Sequence, residues 1–62
     1  MERLLSVDEL ALYLGKPKAT LYGWRYRGEG PRAVRIGREL RFRESDIQAW
    51  LDQRADESRD AS

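Results

Sequence analysis

Apolar side chains recur with helical spacing in three stretches of this chain and with strand spacing in one. Val7, Leu10, Ala11 and Leu14 follow the i, i+3, i+4, i+7 rule, which predicts a short amphipathic helix of about two turns. Ser6-Val7-Asp8-Glu9 has the Ser-x-x-Glu order of a capping box and marks its start. Gly15, able to adopt the left-handed backbone that closes many helices, marks its end. Asp8 and Glu9 fall where the positive end of the helix dipole favours acids, so their assigned role is capping rather than catalysis. The lead from Met1 to Leu5 is expected to tuck Leu4 or Leu5 against this helix.

Only Lys16, Pro17 and Lys18 separate the first helix from a second, so the pattern predicts a helix-turn-helix rather than two independent helices. Pro17 suits the first helical turn, and the punctuation at Gly28, Gly30 and Pro31 ends the helix near Arg27. Leu21 and Trp24 make its apolar seam, with Arg25 and Gly28 at the border. Ala19, Tyr22, Gly23 and Tyr26 project to the other side. Thr20 lies in the first turn, its hydroxyl free to bond local backbone or an outside phosphate. Gly23 costs about 0.8 to 1 kcal/mol relative to Ala inside a helix. Close approach of another backbone or of a ligand would explain it; so would simple tolerance.

Residues 34–43, VRIGRELRFR, alternate with period two: Val34, Ile36, Leu40 and Phe42 on one face, Arg35, Arg41 and Arg43 on the other. Placing Ile36 opposite Leu40 and Val34 opposite Phe42 predicts a hairpin with Gly37-Arg38-Glu39 as its loop. It also sets Arg35 against Arg41, a repulsion that a polyanion would relieve. Solubility is the competing explanation for these arginines. A third helix is expected to begin between Arg43 and Ser45, with Ser45-x-x-Gln48 as a second capping box. Ile47, Trp50 and Leu51 would form its seam, and it would fade near Arg54. Residues 1–54 therefore read as one domain and 55–62 as a polar, disordered tail. Leu10, Leu14, Leu21, Trp24, Val34, Ile36, Leu40, Phe42, Ile47, Trp50 and Leu51 are the expected core, with both tryptophans packing there first.

Composition narrows what such a fold can do. The chain has 62 residues, too few for a deep enclosed active site. It has no Cys and no His, which removes disulfides, thiolate and imidazole chemistry and the zinc sites built from them. No metal and no cofactor is expected. No apolar run nears the roughly 20 residues of a membrane span, and the start lacks a signal-peptide stretch, so the reading is a soluble intracellular protein. The formal net charge of +1 conceals a strong sorting. Residues 16–43 carry two Lys and seven Arg against Glu29 and Glu39, a net of +7. Residues 1–15 carry a net of −2 and residues 44–62 a net of −4. A basic middle of this kind suits a nucleic-acid binder that displaces counterions from phosphates. Charge alone leaves a second reading open, in which the acidic ends pair with the basic middle on a solvated surface.

Several short features occur together in a known order: Leu14-Gly15, Thr20-Leu21-Tyr22 before Trp24, Val34-Arg35-Ile36-Gly37-Arg38, and Arg43-Glu44-Ser45-Asp46-Ile47 leading to Trp50-Leu51. From about Leu4 to Leu51 the chain resembles the excisionase-type winged-helix proteins (recombination directionality factors), relatives of the MerR-type DNA-binding domain. The resemblance implies a small α+β winged helix-turn-helix with a two-stranded antiparallel wing and a third helix. It implies that the second helix enters the major groove of double-stranded DNA and the wing tip a neighbouring minor groove. Carried over by position, Lys18, Ala19, Tyr22, Gly23 and Tyr26 face bases, with Thr20 on the same helix and Arg38 in the minor groove. Lys16, Lys18, Arg25, Arg27, Arg35 and Arg41 meet phosphates. Many members have Ser where this chain has Pro17, and polar or basic residues where it has Ala19 and Gly23. Shape and backbone recognition are then expected to outweigh direct base contacts.

The role implied by the resemblance is bending of attachment-site DNA to assist a phage integrase in prophage excision, in the cytoplasm of a bacterial host. The protein would be a monomer in solution that occupies sites side by side on DNA. A small transcriptional regulator of the same fold is the alternative, and a protein-interaction adaptor without DNA binding is the alternative from another class. Enzyme activity is not expected, since no nucleophile-base pair or phosphate-cradling loop occurs.

Overall fold

In the computed structural model, which describes residues 2–55, the order of elements is β1 (Leu4–Ser6), α1 (Val7–Leu14), α2 (Lys18–Tyr26), β2 (Val34–Ile36), β3 (Glu39–Arg43) and α3 (Glu44–Arg54). The capping box forms as its residues dictate: Glu9 N–H donates to Ser6 Oγ at 3.1 Å and Ser6 N–H to Glu9 Oε1 at 2.9 Å. Gly15 closes α1 at φ 70°, its N–H and that of Lys16 reaching back to Leu12 and Ala11 carbonyls. Pro17 stands one position earlier than expected. It is the extended residue before α2, its φ of −69° already helix-compatible and its ψ of 152° not.

The sheet is antiparallel and three-stranded in the order β1-β3-β2, so the lead residues form a strand beside the wing hairpin. Leu5 pairs with Phe42, and both are buried. The hairpin register differs from the expected one by a single residue. Val34 pairs with Arg41, Arg35 with Leu40 and Ile36 with Glu39, leaving Gly37-Arg38 as a two-residue turn. Gly37 takes φ 62° and Arg38, like every other non-glycine among the described residues, has a negative φ, as befits a turn that needs a positive one only at the first central position. Because side chains alternate with period two, this slip puts Val34 and Ile36 on the face opposite Leu40 and Phe42. Ile36, assigned to the core from sequence, is 50% exposed, and Val34 is only half-buried. Arg35 does not face Arg41, and the cross-strand repulsion expected between them does not arise.

The core consists of Leu5, Leu10, Ala11, Leu21, Phe42 and Ile47, with Val7, Leu14, Trp24, Ala33, Leu40 and Leu51 packed around it. Trp50 is half-buried and meets Trp24 at 5.2 Å between ring centroids, tilted 47°, which ties α3 to α2. Arg54 covers the outer face of Trp50 at 5.2 Å. The second capping box is absent. Arg43 is the residue before α3 and caps nothing with its side chain, while Ser45 already lies inside the helix. The start of the chain caps α3 instead, with Ser45 N–H donating to Glu2 Oε1 at 3.0 Å and Glu44 N–H to the Arg3 carbonyl at 3.3 Å. Apart from Ala55, the expected disordered tail lies outside the described residues. The architecture is a small α+β winged helix-turn-helix, extended by a third strand.

Candidate nucleic-acid interface

Two separate segments supply the basic side chains, and folding brings part of each to one open groove. It is lined by Lys18 and Tyr22 of α2, by Arg35, Arg38, Glu39, Leu40 and Arg41 of the hairpin, and by Ser6, Val7 and Asp8 at the start of α1. α2 lies on one side because Leu21 is buried and Trp24 packs on the core, which turns the opposite edge outward. Ala19 is exposed, Gly23 half-exposed, Tyr22 52% exposed and Tyr26 92% exposed. Two tyrosines exposed on one helix edge are well suited to contact sugar, phosphate or base. Thr20 is half-buried, its backbone N–H donating to the Pro17 carbonyl at 3.0 Å.

No side chain caps the first turn of α2 among the described residues. Its outward N–H groups and the positive end of the helix dipole are therefore available to an anion. Lys16 is exposed in the turn just before them. Arg27 reaches back along α2, its Nη1 3.4 Å from where a Cβ on Gly23 would stand, and its Nη2 meets Glu29 Oε1 at 3.4 Å. Arg25, with Arg32, borders instead an adjoining pocket between α2 and the 28–33 segment, which contains Leu10, Leu21 and Phe42 and shares Val7, Tyr22 and Leu40 with the groove. The structure thus joins Lys18, Tyr22, Arg35, Arg38 and Arg41 in the groove, puts Ala19, Gly23 and Tyr26 on the adjoining helix edge, and leaves Arg25 outside.

Residue spacing did not reveal two carboxylates in the groove. Asp8 Oδ1 holds Lys18 Nζ at 2.8 Å, and this hydrogen bond raises the Lys18 pKa above its ordinary 10.5. Glu39 Oε1 holds Arg41 Nη2, while Arg41 Nη1 donates to the Leu40 carbonyl at 2.9 Å. The Glu39–Arg41 pair follows from the two-residue turn, which brings Glu39 into β3 on the strand face of Arg41; the three-residue loop expected from sequence had left it out. The Asp8–Lys18 pair was not legible either, because it depends on how two helices cross.

A helix-turn-helix domain family matches residues 4–55 of the chain. The protein belongs to that helix-turn-helix family. Excisionase-like DNA-binding domains are among its members, and membership suggests double-stranded DNA as the ligand. Among curated proteins and among solved structures, none gives a significant match. Within this helix-turn-helix domain, α1 and α2 are the two helices of the motif and the β2-β3 hairpin is its wing. No helix among the described residues is long and apolar enough to cross a membrane.

Proposed function

We propose that this protein is a DNA-binding accessory factor of the excisionase type, which bends attachment-site DNA and assists an integrase in prophage excision without breaking a bond itself. The reading is carried by the groove that gathers Lys18 and Tyr22 with Arg35, Arg38 and Arg41. In it, α2 enters the major groove through Lys18, Ala19, Thr20, Tyr22, Gly23 and Tyr26. Arg38 reaches the neighbouring minor groove from the exposed turn, and Lys16, Lys18, Arg27, Arg35 and Arg41 meet phosphates on either side. Two reading elements on one monomer favour a bent duplex, because bending lets both engage at once. Copies then occupy adjacent sites in the cytoplasm of a bacterial host.

A footprint on the DNA flanking the protein's own gene, with and without integrase, tests this, together with mobility of circularly permuted fragments. Protection of a discrete site, a position-dependent mobility shift and stimulated excision are the expected results. Protection and bending with no effect on excision would transfer the protein to transcriptional regulation. Binding that is weak and insensitive to salt would overturn the DNA reading altogether.

A further inference from the structure

The groove is not uniformly basic. Of its four cationic side chains, Lys18 and Arg41 are already held by carboxylates of the same chain, Asp8 and Glu39, whereas Arg35 and Arg38 have no ion pair among the described residues. Both pairs are accessible: Lys18 and Asp8 are 55% and 74% exposed at the side chain, Arg41 and Glu39 31% and 68%. They lie at opposite sides of the same opening, one on the helix side and one on the wing. A phosphate that approaches Lys18 or Arg41 therefore meets a cation whose mobile counterion is already replaced by a tethered carboxylate.

We propose that Asp8 and Glu39 are specificity-determining residues, built-in counterions that must be displaced before DNA can use Lys18 and Arg41. This rests on the DNA-binding reading above. Its physical basis is the source of non-specific affinity. That affinity comes from counterions released when phosphates meet cations, with a slope of log K against log salt near −0.9 for each phosphate. A cation neutralised from within has few mobile ions to release, and the displaced carboxylate repels the duplex. Non-specific DNA, which offers only phosphates, gains little from Lys18 or Arg41. A cognate site, where α2 and the wing engage together, returns that cost where it offers the freed carboxylate a base amino group to accept from, a donor that phosphates lack. The two acids thus lower affinity everywhere and lower it most where nothing else compensates.

The test compares the full chain with Asp8→Asn, Glu39→Gln and the double variant. Each is titrated against a random-sequence duplex and against the footprinted site, from about 50 to 200 mM salt. Each substitution is expected to raise non-specific affinity by up to about fivefold, the weight of one exposed ion pair. Each should also steepen the salt slope by about 0.9, so its advantage grows roughly three- to fourfold on dilution across that range. Cognate affinity should rise less, so that the ratio of specific to non-specific binding falls. In a double-mutant cycle on random DNA, Lys18→Ala should lower the salt slope by about 0.9 in the Asp8→Asn background and by much less where Asp8 is present. Circular dichroism of each variant checks that the helices persist. Variants that match the parent in affinity and slope on random DNA would overturn the inference while leaving the DNA-binding reading intact. A parent that binds neither duplex even at the lowest salt would remove that reading and this inference together.

Discussion

At Gly30 the backbone holds φ 85°, and an added Cβ would meet Trp24 Cβ and Cε3 at 3.3 Å. Conformation and contact oppose a side chain there together, so Gly30→Ala should destabilise the domain by more than about 1 kcal/mol in urea titration. Gly23 differs. It is helical, and its only near neighbour is the flexible end of Arg27. Gly23→Ala should therefore stabilise α2 by about 0.8 to 1 kcal/mol. Reduced DNA affinity in the same variant would reveal that the helix backbone approaches the duplex closely, while undiminished affinity would favour simple tolerance of glycine. Arg38 is an exposed turn residue, so Arg38→Ala should leave the melting temperature unchanged and weaken cognate binding by about 1 to 3 kcal/mol. Equal affinity of variant and parent would exclude minor-groove insertion. Arg38 and the outward tyrosines were readable from sequence because each follows directly from a local period or turn.

Among the elements, α1 rests on its capping box, and Ser6→Ala should cost about 1 kcal/mol with an unchanged denaturant slope. The same caps give the domain an acid limb. A backbone N–H from Ser6 and the Arg3 guanidinium hold Glu9 below the ordinary 4.5, and the Ser45 N–H does the same for Glu2. A carboxyl lowered in the folded state contributes stability above its unfolded value and loses it as pH falls through the folded one. Melting temperature should accordingly drop below pH 4.5, and less so in Glu2→Gln or Glu9→Gln. α1 was legible from a 3.6-residue period over two turns, whereas α2 and α3, with seams of only Leu21-Trp24 and Ile47-Trp50-Leu51, were legible from the proline, glycine and acidic residues that bound them. The hairpin register was not, since alternation alone permits a two- or a three-residue turn, and the choice moves Val34 and Ile36 to the other face. β1 was missed because three residues carry no detectable period; it is a strand only because β3 has an open edge.

For the molecule as a whole, a core of so few fully buried side chains leaves little reserve. Leu10→Ala, at the one large side chain with no exposure among the described residues, should cost about 2 to 5 kcal/mol and leave much of the protein unfolded at room temperature by circular dichroism. The sorting of charge into a basic middle and acidic ends was visible in the sequence, whereas which cations remain unpaired was fixed only by packing. The hydrogen bond from Ser45 to Glu2 spans 43 positions, and β1 and β2 both wait on β3 between them. During synthesis the leading strand has no edge to join until β3 has left the ribosome, and it must dock there before α3 gains a closed first turn. Removing Glu2 and Arg3 would therefore loosen the first turn of a helix encoded some forty residues downstream.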